Sequence, residues 1–456
     1  MFLSDGFEAS ANGCTAAINL SGAHISGGLL NFRQARLTNT QGPCLQADGL
    51  YAHGSIFLGG RSPGEGFEAH ANGYTGAINL SGAHINGGLL DLRQARLTNT
   101  QGPCLQADGL NVPNGSVFLE DKFSAETNYG PQAQRQARRR QRRAGRRRDA
   151  AVQLLGAQIG GALIFGRGAR LVSRTGPALF ADYLNVGERV ILNARYTGRD
   201  PEGCVRLFGA DFGHELNLGG CRIVNHDGPI LNLESASVRH LVLPPSILCS
   251  EPVSRTCTGK TVRFDNLTYE RVKSGAGLEP IVYARHWIHW LRKHHIPDYS
   301  AQPYRQVAAV QHSAGNNAAA RDILINQQEH LRNSDNIGNW FSRGGNWIFG
   351  AFAGYGYKVQ KTAGWLAGVV VVAAVLGFFA PSHVDTGNKA CTRMGRLELG
   401  LNQALPAISI GTGCQLSSGG VCSTLFSIAF LILRIFSLIL FVTVVASLRN
   451  LVRKVH

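Results

Sequence analysis

One stretch of this chain occurs twice, and it constrains the fold more than any other feature. Residues 15–50 read TAAINLSGAHISGGLLNFRQARLTNTQGPCLQADGL, and residues 75–110 repeat that text with four substitutions. A fixed period is typical of stacked supersecondary units that bury their apolar faces against one another. The duplication therefore predicts a repeat architecture.

The pattern within each unit predicts short strands. Apolar runs recur at short and regular intervals, with Gly, Asn, Asp and Pro between them. Triplets such as Ala23-His24-Ile25 and Ala35-Arg36-Leu37 place a small and a large apolar residue two positions apart, which suits a narrow solenoid interior. Diverged copies follow near residues 155 and 207. We therefore predict that residues 1–245 form a mainly β fold, a parallel β-helix of about four units, in preference to a β-propeller of antiparallel sheets.

A basic insertion precedes the third unit. The chain has a formal net charge of +16, and nine arginines lie between residues 135 and 148. The segment 130–149 is predicted to be a solvated loop, with contact to anionic lipid as the functional alternative. Nucleic acid is disfavoured as a partner because no aromatic residue is interleaved with the arginines. The candidate lipid-contact residues are Arg138, Arg139, Arg140, Arg142, Arg143, Arg146, Arg147 and Arg148.

The periodicity becomes helical after the solenoid. Residues 246–335 are predicted to hold a linker and helices, including a pair at about 301–313 and 318–331 that is similar to one tetratricopeptide-type hairpin. One hairpin cannot bury its own core, so we expect it to cover the exposed strand edges at the end of the solenoid. Histidines 286, 289, 294 and 295 cluster before it, but no nearby Cys or carboxylate completes a set of ligands, and no metal site is predicted.

The remaining segment, 336–456, is predicted to be a membrane anchor. An aromatic stretch precedes two apolar runs, at 363–380 and 425–448, that are long enough to span a bilayer. Basic residues flank both runs on the sides that would be cytoplasmic. We therefore predict a multi-pass protein of the bacterial plasma membrane, with the solenoid and the C-terminus in the cytoplasm and residues 381–424 outside.

Two features of this anchor bear on function. Arg434 lies inside the second predicted span, where a charge is expected to face a partner helix or to reach toward the interface. The outer segment contains Cys391, Cys414 and Cys422, of which two could pair in an oxidising compartment.

The repeat also carries candidate binding residues. Arg33 and Arg36 recur as Arg93 and Arg96, and we predict an outward ladder of arginines along one side of the solenoid. Such a ladder is suited to an acidic partner. His24 and His84 recur between inward positions and should also point outward. No catalytic motif or cofactor fingerprint is found in the sequence, so we predict no catalytic residue and no cofactor.

The order of these elements resembles a known family. The GA-x-I-x-GG-L repeat is followed by QPYRQVAAV at 302–310, by GYGY at 354–357 before a span, and by Leu405-Pro406 before the final span. Together these are similar to bacterial membrane proteins labelled "membrane-associated oxidoreductase", which are related in style to pentapeptide-repeat proteins. The resemblance implies a solenoid on two membrane spans.

These observations favour a non-catalytic, membrane-anchored scaffold or recognition protein. Its expected partners are membrane lipids and either a second protein or further copies of the chain. An oligomeric channel regulated by the solenoid is the first alternative, and the oxidoreductase named in the family label is the second.

Overall fold

A computed structural model gives the structure of the protein. It describes residues 2–4, 6–60, 66–128, 150–244, 247, 262–273, 280–296, 299–333, 359–380, 382–384, 387–404, 414–416 and 421–453. The chain divides into two compact units, Met1–Leu324 and Ile325–His456. The arginines predicted to contact lipid, at 138–148, lie outside the described residues.

The first unit is built from short strands. In chain order they are β1 (Glu8–Ala11), β2 (Ile18–Asn19), β3 (His24–Ile25), β4 (Leu29–Asn31), β5 (Arg36–Asn39), β6 (Leu45–Gln46), β7 (Tyr51–Ala52), β8 (Ser55–Phe57), β9 (Glu68–Ala71), β10 (Ile78–Asn79), β11 (His84–Ile85), β12 (Leu89–Asp91), β13 (Arg96–Asn99), β14 (Leu105–Gln106), β15 (Asn111–Val112), β16 (Ser116–Leu119), β17 (Ser124–Thr127), β18 (Val152–Gln153), β19 (Gln158–Ile159), β20 (Leu163–Phe165), β21 (Arg170–Val172), β22 (Leu179–Phe180), β23 (Asn185–Val186), β24 (Arg189–Leu192), β25 (Arg195–Gly198), β26 (Val205–Arg206), β27 (Asp211–Asn217), β28 (Arg222–Asn225), β29 (Leu231–Asn232), β30 (Ser237–Val242), β31 (Val262–Arg263) and β32 (Thr268–Lys273).

These strands form three sheets that run along the solenoid. Sheet I has the order β1-β5-β9-β13-β17-β21-β25-β28, and sheet II has the order β2-β6-β10-β14-β18-β22-β26-β29-β31. Sheet III carries the remaining strands, two short ones per turn until they merge into β27. Neighbouring strands pair in parallel. The structure therefore confirms the predicted parallel solenoid, which has about eight turns, and excludes the antiparallel propeller.

The duplicated unit corresponds to two turns of the solenoid. In sheet I, β5 lies between β1 and β9, which are one 60-residue period apart, so each period contributes two neighbouring strands. In the inward-facing column of sheet I, a small and a large side chain alternate from turn to turn. This alternation explains why the sequence repeats only every second turn. The first six members of this inward-facing column are Ala9, Leu37, Ala69, Leu97, Ala125 and Leu171.

Sheet II supplies a continuous aliphatic ladder to the interior. A β-branched residue and a leucine alternate along it, and most members are fully buried. The ladder contains Ile18, Leu45, Ile78, Leu105, Val152, Leu179, Val205, Leu231 and Val262. Each buried Leu or Ile contributes roughly 1.5–3 kcal/mol relative to an exposed one. Stacking of such units is what stabilises a solenoid whose single turns have no core of their own.

The repeated cysteines behave as small apolar residues. Cys44, Cys104, Cys204 and Cys221 are buried and unpaired, whereas Cys14 is exposed. Burial raises the pKa of Cys44 and Cys204 to about 12, because the thiolate would lose its hydration. These thiols therefore stay protonated at neutral pH, as the repeat position predicts.

Helices α1 (Pro280–Lys293) and α2 (Ala301–Ser313) cover the last turn of the solenoid, and α3 (Asn317–Asn333) follows them. The side-chain amides of Gln302 and Gln306 donate to the carbonyl oxygens of Leu267 and Tyr269, at 3.0 and 2.7 Å. In α1, buried Trp287 packs on Phe264 with ring centroids 5.5 Å apart. The helices thus satisfy strand edges that would otherwise be exposed, as expected for a cap.

The second unit is mainly helical. It contains α4 (Val359–Phe379), β33 (Ser382–Val384), β34 (Gly387–Ala390), α5 (Arg393–Ala404), β35 (Cys414–Leu416) and α6 (Val421–Arg453). The three strands form an antiparallel sheet in the order β34-β33-β35. Helices α4 and α5 approach closely at two glycines, because a Cβ on Gly377 would lie 2.6 Å from the Cα of Gly400. A disulfide joins Cys391 to Cys414.

Among the described residues, one helical segment is long and apolar enough to cross a membrane, namely Thr424–Val442 in α6. It overlaps the second predicted span. The apolar part of α4, Gly364–Phe379, overlaps the first predicted span but is shorter. The second span therefore has support from helix length and composition, and the first stays a prediction.

Candidate binding surface

The parallel register of sheet I aligns one outward side chain per turn into a straight column. In the triplets that lie on sheet I, such as Ala35-Arg36-Leu37, the residue between the two apolar members occupies this position. We call it the sheet I column. Its members are Glu8, Arg36, Glu68, Arg96, Ser124, Arg170, Arg195 and Arg222.

In the N-terminal turns the charges of the column alternate and neutralise one another. Glu68 lies between Arg36 and Arg96, with N···O distances of 3.0 and 3.7 Å. Both arginines are exposed. The structure therefore places two of the four predicted binding arginines in one outward column, but it also places a carboxylate between them.

The other two predicted arginines lie at a corner of the solenoid. Arg33 donates to the carbonyl oxygen of Gly59 at 3.2 Å, and its guanidinium lies 4.7 Å from the ring centroid of Phe57. Arg93 is buried and forms an ion pair with Asp91. These contacts stabilise the corner. Arg33 and Arg93 therefore do not belong to the sheet I column, which contains Arg36 and Arg96.

The C-terminal turns carry a different pattern. Arg170, Arg195 and Arg222 follow one another on three adjacent strands, and all three are exposed. No carboxylate of the described residues forms an ion pair with any of them. Adjacent strands lie about 4.8 Å apart, and like charges in register repel. This run therefore aligns three like charges on one face, without an ion pair to any described carboxylate.

Sequence reasoning missed this run although its signal is present. The middle residue of each triplet on sheet I belongs to the column. Ala169-Arg170-Leu171 keeps the pattern, whereas Ala194-Arg195-Tyr196 and Cys221-Arg222-Ile223 have lost the leucine. Aligning the triplets turn by turn would have found the column.

The surroundings of the arginine run are polar but balanced. Arg174 pairs with Glu126 at 3.4 Å, and Arg199 pairs with Asp227 at 3.9 Å. Val224 follows Arg222 in β28 and is 49% exposed on the same face. These ion pairs neutralise Arg174 and Arg199, whereas no ion pair among the described residues involves the three column arginines.

A second outward column lies on sheet III. The rings of His24, Tyr51 and His84 stack in parallel, with centroid distances of 4.7 and 4.8 Å. His24 and His84 therefore point outward, as predicted. Because each ring face covers the next, the stack presents ring edges to a partner and offers no open face for stacking.

A buried ionic cluster lies at the outer side of sheet II. Arg206 is buried, pairs with Asp182, donates to Glu202 at 2.7 Å, and has Asp200 at 3.9 Å. Its guanidinium also lies 4.9 Å from the ring centroid of Phe180. The cluster joins neighbouring turns through one cation, which is a structural arrangement rather than an open site.

The four histidines in and directly after α1 lie close together. His286, His294 and His295 are buried, and the Nε2 atoms of His289 and His294 are 3.3 Å apart. His295 has the Asp265 carboxylate at 3.7 Å and accepts from the Phe264 amide. Across the described ranges, no three His, Cys, Asp or Glu side chains are placed to hold one metal ion.

Arg434 lies near the middle of the apolar segment of α6. Its side chain is exposed, and the helix residues that face inward are Phe430, Ser437 and Leu440. Within the described residues no carboxylate pairs with its guanidinium. The charge therefore lies on the outer surface of the second unit.

Comparison with known proteins gives no match, since no family model, no curated protein and no solved structure is similar to this chain at a significant level. The resemblance to the membrane proteins with the oxidoreductase label stays a prediction.

Proposed function

We propose that this protein is a non-catalytic scaffold that presents a rigid recognition surface at a bacterial plasma membrane. The observation that carries the proposal is the packing of the solenoid. Its interior is filled along its length by apolar side chains, so its outward columns are the surfaces that a partner can contact. Of these, the sheet I column is the most strongly charged.

The second unit supports the membrane location in the proposal. The α6 segment Thr424–Val442 has the length and composition of a span. Cys391 and Cys414 lie between the two predicted spans and are joined by a disulfide, which is stable in an oxidising compartment. The buried cysteines of the solenoid are unpaired. Together these features favour the orientation in which the solenoid is cytoplasmic and the segment between the spans is outside.

Cys14 provides a test of this orientation. It is exposed, whereas the other unpaired cysteines of the described solenoid are buried. In spheroplasts that contain the full chain, we expect a membrane-impermeant maleimide to label Cys14 only after the membrane is permeabilised. The label is located by peptide mass spectrometry, and Cys14→Ser is the control. Labelling of Cys14 in sealed spheroplasts would place the solenoid outside and contradict the proposal.

An oligomeric channel is the second candidate, and the position of Arg434 favours it. A charge at the centre of a span is costly unless it meets a partner or water. A contact with another copy or a water-filled path would meet that need. If the chain conducts, purified protein in planar bilayers shows discrete currents, and Arg434→Leu changes their amplitude or abolishes them while circular dichroism is unchanged. Absence of current from the unaltered protein would exclude this candidate.

A further inference from the structure

We propose that Arg170, Arg195 and Arg222 bind the phosphate groups of an anionic membrane leaflet, so that the C-terminal turns of sheet I lie against lipid headgroups. This inference rests on the proposed membrane anchoring. It assigns a lipid-contact role to residues other than those of the arginine-rich insertion at 130–149.

The C-terminal turns of the sheet I column align arginines that repel one another, whereas the N-terminal turns avoid such repulsion. In the N-terminal turns, the same column is neutralised by Glu68 between Arg36 and Arg96. The C-terminal turns have three arginines in direct register and no acidic neighbour in the column. Stacked like charges destabilise a sheet unless an anion screens them. Like charges that are aligned on a sheet without a compensating contact are typical of a functional surface.

The second argument is chemical. A guanidinium donates two parallel hydrogen bonds to a phosphate and keeps its charge at every physiological pH. The paired strands fix three such groups in one row, at a spacing of about 4.8 Å. A row on an outward sheet face meets another surface, whereas a small ligand is usually enclosed in a concave site. Val224 adds an exposed apolar side chain beside Arg222 on the same face.

The third argument favours lipid over an acidic protein. The same chain carries a candidate span, so its solenoid is held near headgroups at a high effective concentration. Weak contacts from a few arginines are then enough to orient the face, and they need no complementary protein shape. Because the chain has a candidate span, we infer that the anions are lipid headgroups rather than groups of an acidic protein.

The test uses the full chain in vesicles and an arginine-selective dicarbonyl reagent. Vesicles contain phosphatidylcholine alone or phosphatidylcholine with phosphatidylglycerol, and modification of each arginine is measured by mass spectrometry. We expect modification of Arg170, Arg195 and Arg222 to be about fivefold or more slower on the anionic vesicles, and the difference to vanish at high salt. Arg189, exposed on sheet III, is the internal control and should react equally on both.

A matched pair of variants tests whether the three arginines cause the protection of this face. Arg199 lies at the edge of the same face and reports contact there. Its slower modification on anionic vesicles should be lost in the triple variant with Arg170→Gln, Arg195→Gln and Arg222→Gln. It should persist in the double variant with Arg36→Gln and Arg96→Gln, which removes two arginines that are paired with Glu68. Circular dichroism checks that both variants fold.

Three results would overturn the inference. They are equal modification on both kinds of vesicle, protection that the triple variant retains, and protection in detergent that depends on a co-purifying acidic protein. Extraction with alkaline carbonate separates these from a failure of the anchoring proposal. A chain that stays in the vesicles but shows no protection contradicts only the lipid contact, whereas a chain that is extracted contradicts the anchor itself.

Discussion

Replacing Asn99 by alanine is expected to lower the stability of the central turns by roughly 3–5 kcal/mol, because several buried hydrogen bonds are lost at once. The Asn99 amide donates to the carbonyl oxygens of Thr75 and Pro103, both at 2.8 Å. Its side-chain oxygen accepts from the amides of Gly73 and Gln101, both at 3.2 Å. Asn99 is completely buried, so water cannot replace these partners.

The same corner recurs along the solenoid, which makes the prediction general. Asn39 donates to Thr15 and Pro43, and Asn225 donates to Asp200 and Pro229, in the same arrangement. The Gly-Pro pair after each of these asparagines belongs to this corner. A Cβ on Gly102 would lie 2.7 Å from the carbonyl oxygen of Gly73, so the chain needs glycine where successive corners stack.

Cys104 supplies the measurement for this prediction. It is fully buried directly after the corner, so a maleimide reaches it only when the turns open. A loss of about 3 kcal/mol corresponds to labelling that is roughly 100-fold faster. The control is Thr98→Ala, which removes an outward hydroxyl that contacts His70 and should change the rate little. Labelling of Asn99→Ala at the unaltered rate would show that the corner asparagine is dispensable.

The fold could be predicted from the sequence because its constraints are local and repeated. The small and large apolar residues of each triplet identify the interior, and the period identifies stacking. The number of turns is not visible in the sequence, because a duplication that spans two turns hides the weaker similarity between its two halves. The alternation of alanine and leucine at positions such as Ala69 and Leu97 makes neighbouring turns differ more than alternate turns do.

The candidate surface depends on register, which sequence alone does not give. Because Arg33 and Arg36 are close in the sequence, we expect them to act together. In the structure, however, Arg33 lies at a corner and Arg36 lies on strand β5. Glu68 neutralises Arg36 and Arg96 from the strand that lies between theirs. The three arginines of the C-terminal run are not evenly spaced along the chain, so no constant period reveals them. Their alignment follows from strand pairing.

Replacing Arg206 by methionine is also expected to destabilise the solenoid by about 3–5 kcal/mol, because it removes one partner of the buried ion pair with Asp182. Asp182 and Asp200 are buried, and the Glu202 side chain is 39% exposed. Methionine keeps much of the side-chain volume and the packing on Phe180, so the loss measures charge rather than a cavity.

Cys204 reports the effect, since it is fully buried just before Arg206. Its maleimide labelling should become roughly 100-fold faster in Arg206→Met. Arg199→Met is the matched control, because it removes an ion pair at 3.9 Å between two exposed side chains and should cost less than about 1 kcal/mol.

A double variant separates charge from packing at this cluster. Asp182→Asn keeps the size of the side chain and removes the carboxylate that makes the closest contact with Arg206. If uncompensated charge causes the loss, the combination of Arg206→Met with Asp182→Asn should label Cys204 more slowly than Arg206→Met alone. Additive effects of the two substitutions would instead mean that the loss in Arg206→Met does not come from its ion pair with Asp182. The contacts of Arg206 with Glu202 and Asp200 would then remain as the source of the loss.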